Sequence, residues 1–199
     1  LYNDKNVLIF SGFNEIKSNQ LRDCYIMNIN EKKLLKRSPL NLLKKNFIGH
    51  PSTTLIRNKI SQWYDENIKW VVDIEFYIRY LKNADFVSIN KTLVNIGISD
   101  EQVTKEVFRN PNIEIPENLY LLQKLGADSL RNIYVYDYYW RMFRNLSIRS
   151  FTQIKIYSRE IEIPKRIKKM LQVEFKIPLS ILRVGILSKL FMITTKTFF

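Results

Sequence analysis

Residues 70–98 read WVVDIEFYIRYLKNADFVSINKTLVNIGI, and the order of patterns in this stretch decides the fold. Ile74, Tyr77, Ile78 and Leu81 recur at the i, i+3, i+4, i+7 spacing of a helix with one apolar face, and Asp73 falls at its N-terminal end. Two β-rich runs follow, Phe86–Ile89 and Leu93–Ile98, which predict two short strands of one sheet. Upstream, Val7–Ile16 (VLIFSGFNEI) opens as a continuous apolar run and then alternates, the pattern of a strand buried at one end. Thr53–Ile56 is β-branched and strand-like. Strands on both sides of a helix predict an α/β chain with a mixed sheet.

Between these runs, Glu31–Arg37 reads as a charged connector, and Ser38-Pro39 as a helix start with Ser38 at the cap. Ser99, followed by Asp100, Glu101 and Gln102, predicts another capped helix, which Asn110-Pro111 would end. Pro116–Leu125 predicts a short helix closed by Gly126. Asp128–Asn145 predicts a long aromatic helix whose polar residues Asp137, Arg141 and Arg144 occupy one narrow stripe, so that most of its circumference needs cover. Pro164 and Pro178 read as further helix starts. The division that follows is an α/β portion over residues 1–112 and a mostly helical, basic and aromatic extension over 113–199.

Composition narrows the class. Hydrophobic residues make up 46% of the 199, which suits a packed core. One cysteine, Cys24, excludes an internal disulfide and points to a reducing compartment. With a single histidine beside it, a Cys/His zinc site is excluded. No run approaches the ~18 apolar residues of a membrane span. The net charge of +13 is concentrated late: residues 140–199 hold 13 Lys and Arg against 3 Asp and Glu. Such a basic half suits anionic lipid, phosphorylated substrates or nucleic acid. Nucleic acid is disfavoured, because no zinc or RNP-like pattern is present and the aromatic residues cluster on a helix that reads as buried.

The succession HPSTTLIR (50–57), YDE (64–66) and WVVDIEFYIR (70–79) resembles the acceptor-side half of glycosyltransferase family 2, inverting sugar transferases that use nucleotide sugars. The resemblance covers about residues 48–105. It implies a partial GT-A-like sheet with flanking helices. It also implies that Asp73 is the general base and that His50, Ser52 and Arg79 contact substrate. The family's usual Glu-Asp pair before the helix is Val72-Asp73 here, and Tyr64 stands where the family has Phe. Each residue also has a plainer reading. Asp73 suits a helix cap, Arg79 suits a pair with Glu75 four residues earlier, and Asp65 and Glu66 suit a loop.

The family's metal-and-diphosphate signature has no counterpart in this sequence, so the resemblance implies that the donor half would precede Leu1. A divalent cation (Mg or Mn) and a nucleotide-sugar donor are implied for the reaction, without cation ligands in this chain. The implied acceptor is a cell-surface glycan or a lipid-linked glycan, with the chain cytoplasmic or peripheral at the inner membrane face. Pro164–Glu174 (PKRIKKMLQVE) sets Ile167, Met170 and Leu171 on one face among lysines, a pattern that suits either an anionic membrane surface or packing on the chain's own core. A non-catalytic relative that docks on a membrane or a partner enzyme is the alternative.

Overall fold

The computed structural model describes residues 6–57, 63–99 and 107–198. The chain is mixed α/β and divides into two compact units, Leu1–Lys105 and Glu106–Phe199. The division falls earlier than the expected 112/113 boundary. Asn110-Pro111 begins a helix of the second unit, and the helix expected to end there lies largely outside the described residues.

In the first unit, β1 (Val7–Lys17) is the central strand. Its parallel partner is β4 (Asp85–Gly97), from Val7↔Asp85 to Ile16↔Gly97. On its other edge lie β3 (Thr54–Leu55), beside Ile9 and Phe10, and β2 (Gln20–Tyr25), beside residues 13–17, both antiparallel. Val7, Leu8, Phe10 and Phe13 are buried, as the apolar opening of the strand requires. The two expected strands at 86–89 and 93–98 are one strand. Register shifts on either side of Gly12 absorb the extra residues of β4 that the sequence reading had left as a break. Gly12 has a steric role there: a Cβ at this position would run into the Tyr25 carbonyl oxygen.

The segment read as a connector is a helix, α1 (Ile29–Arg37). Asn28 caps it, accepting from Asn30 N and Glu31 N, while Glu31 accepts from Asn28 N at 2.9 Å. Leu35 is the residue it buries. Ser38 does cap, with Oγ accepting from Leu40 N, but it opens only a 3₁₀ turn over Pro39–Leu43. The helix α2 (Val72–Tyr80) buries Tyr77 and Ile78, with Leu81 just beyond its end, as the spacing predicts; Ile74 is only partly buried, and Glu75 and Phe76, off the expected face, are buried as well. The expected helix start at Ser99–Gln102 falls largely outside the described residues.

The second unit is helical. Asn110 accepts from Asn112 N and starts α3 (Pro111–Leu125), with Pro111 at its first position. Pro116, expected to start this helix, sits inside it. A proline there cannot donate to the carbonyl four residues back, and Arg159 Nη2 donates to that Asn112 oxygen at 3.3 Å instead. Gly126 ends the helix at φ +81°. The long helix expected over 128–145 is split. A 3₁₀ turn over Ala127–Arg131 precedes α4 (Ile133–Asn145), because Asn132 accepts from Tyr134 N at 2.8 Å and caps a new start. Most of the circumference of α4 is covered, with Val135, Tyr136, Tyr139, Trp140, Met142 and Phe143 buried. The polar stripe, half-buried, holds an Asp137–Arg141 pair at 2.8 Å.

Three helices follow α5 (Phe151–Tyr157): α6 (Lys165–Lys176), the short α7 (Leu179–Leu182) and α8 (Gly185–Phe198). Helices α4, α6 and α8 pack on one another. Arg149 closes α6, donating to the carbonyl oxygens of Glu174, Phe175 and Ile177 at 2.6–2.7 Å. Ile167, Met170 and Leu171 are fully buried. The apolar stripe of 164–174 is therefore part of the interior of this unit, and of its two readings the structure takes the second. No helix among the described residues is long and apolar enough to cross a membrane.

Candidate functional site

The loop before β3 is built around Asn46. Its Oδ1 accepts from Ile48 N and Gly49 N, and its Nδ2 donates to Gly49 O at 2.9 Å. Gly49 takes φ +94°, and a Cβ here would come within 2.6 Å of the Phe13 ring. This close approach delivers His50, whose ring stands edge-on to Phe13 at 4.9 Å. Pro51–Thr53 is a 3₁₀ turn, tied by Thr53 Oγ1 donating to His50 O and Thr54 Oγ1 donating to Pro51 O, both at 2.7 Å. Ser52 is exposed on that turn.

Helix α2 meets this loop at its N-terminal end. Tyr77, fully buried, donates from its hydroxyl to Gly49 O at 3.4 Å. One turn earlier on the same face stands Asp73. It is not the cap: Val71 occupies that position, with no side-chain cap bond. The Asp73 carboxyl is half-buried. Burial pushes its pKa above the ordinary value for Asp, and His50 acts in the opposite direction, favouring the charged form. Asp73 in turn reinforces the upward shift that burial imposes on the hydroxyls of Tyr64 and Tyr77. Asp73, His50, Tyr64 and Tyr77 thus form one electrostatic cluster. His50 is exposed and Tyr64 is 38% exposed, so the cluster opens to solvent.

Arg79 faces elsewhere. Its Nε and Nη2 donate to the two oxygens of Glu75 at 2.9 and 3.1 Å, and Nη2 also donates to Trp63 O at 2.6 Å. Glu75 is buried. The helical i,i+4 pair explains the guanidinium, which holds the 63–65 loop and with it Tyr64, whose ring packs on Phe76 at 4.7 Å. Asp65 accepts from the backbone and side chain of Asn67, a loop-setting role. Of the four residues expected in the site, the structure brings Asp73 and His50 together, leaves Ser52 on the neighbouring turn, and ties Arg79 to Glu75 and Trp63. Tyr77 and Tyr64 were not expected in the site. The four-residue spacing from Asp73 to Tyr77 was the signal for the first; the second depends on a loop closure that no local pattern encodes.

A cavity of about 560 Å³ in the same unit, lined by Leu35, Pro39, Leu81 and Phe86 among others, lies at the opposite end of α2 from Asp73. Among the described residues no three His, Cys, Asp or Glu side chains converge as metal ligands. Comparison of the chain with family models, with curated proteins and with solved structures finds no match.

Proposed function

We propose that the first unit is the acceptor-side half of an inverting, GT-A-like glycosyltransferase resembling family 2. The observation that carries this reading is the placement of Asp73. It is a half-buried carboxylate on the first turn of α2, not consumed as a cap, and it faces His50. A carboxyl with its pKa raised by burial is a stronger base than an exposed one while it remains ionised. Asp73 takes the proton of an acceptor hydroxyl as that oxygen bonds to the anomeric carbon. The nucleoside diphosphate departs from the opposite face with the bonding electron pair, and the configuration inverts. His50 orients the carboxylate and borders the acceptor, Ser52 offers a hydroxyl on the adjoining turn, and Arg79 positions the Tyr64 loop. The donor is a nucleotide sugar and the acceptor a glycan or lipid-linked glycan. The cation associated with this reaction is assigned no ligand among the residues described.

The test is Asp73→Asn in the longest natural form of the protein. Transfer from UDP- or GDP-sugars should fall by about 100-fold or more, while folding is unchanged. Transfer at near wild-type rate would remove Asp73 from the reaction.

A further inference from the structure

Helix α8 is built inside out. The stripe it buries is Ser188, Met192 and Thr195. Trp140 Nε1 and Arg144 Nη1 both donate to Ser188 Oγ at 2.9 Å, which fixes this polar side inward. The opposite side presents Ile186, Leu190 and Ile193, and Phe198 stands 79% exposed at the end. Ridges of this kind on a surface signify a covered face. The sequence from Phe175 to Phe198 contains no Asp or Glu, while Lys176, Arg183, Lys189 and Lys196 are spread along it.

Lys196, on this same helix, helps line a cavity of about 120 Å³ with Arg166, Arg131, Tyr136 and Leu130. The lining holds three cations and no carboxylate. Arg131 additionally pairs with Asp128 at 3.1 Å on the exposed rim. Tyr136 is only 3% exposed, and its hydroxyl has no hydrogen-bond partner among the described residues. Arg166 lies within electrostatic reach of that hydroxyl. Glu174 is near that hydroxyl as well, and burial raises its pKa well above the ordinary carboxylate value. A cavity lined by two Arg and one Lys, beside a buried hydroxyl with no partner among the described residues, is a set of groups that phosphate oxygens satisfy.

We propose that this cavity binds the phosphate of an anionic lipid headgroup while the outer face of α8 lies in the surface of the bilayer. The two features demand one occupant that is both anionic and apolar. A soluble phosphate ester accounts for the cavity and leaves the ridge in water. A second copy of the chain would cover the ridge but set like charges against each other. An anionic leaflet satisfies both. The site is independent of the chemistry at Asp73.

The experiment is co-sedimentation of the full chain with vesicles of phosphatidylcholine alone and of equimolar phosphatidylcholine and phosphatidylglycerol. Binding to the mixed vesicles should exceed binding to the neutral ones by at least about tenfold. Arg166→Gln with Lys196→Gln should weaken it about 30-fold, the effect of two cations near an anionic surface. Lys165→Gln with Lys168→Gln, an equal charge loss on exposed positions of α6, should weaken it less. Ile186→Ser with Leu190→Ser should reduce binding while leaving the helical circular dichroism unchanged. If the cavity pair misfolds, a spin label at Ile186→Cys in a Cys24→Ser background reads the same contact, becoming shielded from aqueous relaxants on mixed vesicles. Equal losses from the two lysine and arginine pairs would overturn the cavity. Failure to bind mixed vesicles, with or without inorganic phosphate binding or an α8-dependent dimer in sedimentation equilibrium, would overturn the membrane assignment.

Discussion

Glu75 and Arg79 meet one turn apart on α2 through hydrogen bonds of 2.9 and 3.1 Å, with the Glu75 carboxylate at 3% exposure and the guanidinium reaching on to the Trp63 carbonyl. The pair therefore joins the helix to the loop that carries Tyr64. Arg79→Ala removes two charge-assisted hydrogen bonds from a buried carboxylate and should cost about 3 kcal/mol in urea unfolding. Replacing both residues at once, Glu75→Leu with Arg79→Met, should recover most of that loss. A double variant as unstable as the single one would show that the pair is not the source of the cost.

Gly49 should not tolerate alanine. At φ +94° a side chain is strained, and the added methyl would press on the Phe13 ring that supports His50. Gly49→Ala is expected to cost about 1–3 kcal/mol, measured by thermal or urea unfolding. Gly97→Ala, where a Cβ meets nothing within 4 Å, is the matched control and should be close to neutral.

The Asp73 carboxyl titrates above the ordinary range for Asp, and His50 restrains the rise. Removing that restraint in His50→Ala should move the Asp73 midpoint further up, read directly by carbon NMR of the labelled carboxyl. If Asp73 is the base, the acid limb of kcat/KM for sugar transfer should move upward by the same amount, since the group must be ionised to act. A midpoint that moved downward would contradict the arrangement of the two side chains.

Glu174 gives a stability signature. It is fully buried, with both carboxylate oxygens lacking hydrogen-bond partners among the described residues, and its pKa stands well above the usual value. The folded chain therefore holds this proton more tightly than the unfolded one. The contribution of this group to stability should be greatest below the ordinary carboxylate pKa and should fall as pH rises from there, by up to about 1.4 kcal/mol per pH unit for one proton. Glu174→Gln removes this contribution and should make the curve fall less with pH, leaving the slopes of Glu114 and Asp73, whose pKa values are also raised, and the opposing slope of Glu31, whose pKa is lowered. Urea unfolding at a series of pH values measures it.

What the sequence revealed follows from the range of each interaction. Val7–Lys17 and the face of α2 were legible because burial writes itself into the local period of apolar residues. Asp73 could be placed at the start of a helix from the same period. Its partners could not, because Gly49 and Phe13 meet only after the sheet forms. Helix α1 was missed because its charged surface hides a single buried leucine, although Asn28 and Glu31 spelled out its cap. The break at Asn132 was missed because strong helical composition on both sides masked a capping residue. In α8 the period points the wrong way: its apolar residues predict the interior, and the polar Ser188 and Thr195 occupy it.

The register Val7↔Asp85 sets an order of events during synthesis. β1 is made first and β4, its longest partner, emerges only near the end of the first unit. Until then one edge of an apolar strand has no neighbour, with the nascent chain exposed to pairing with other copies. A ribosome-bound intermediate ending before Asp85 should consequently depend on holding factors, and its release should come when Gly97 clears the exit tunnel.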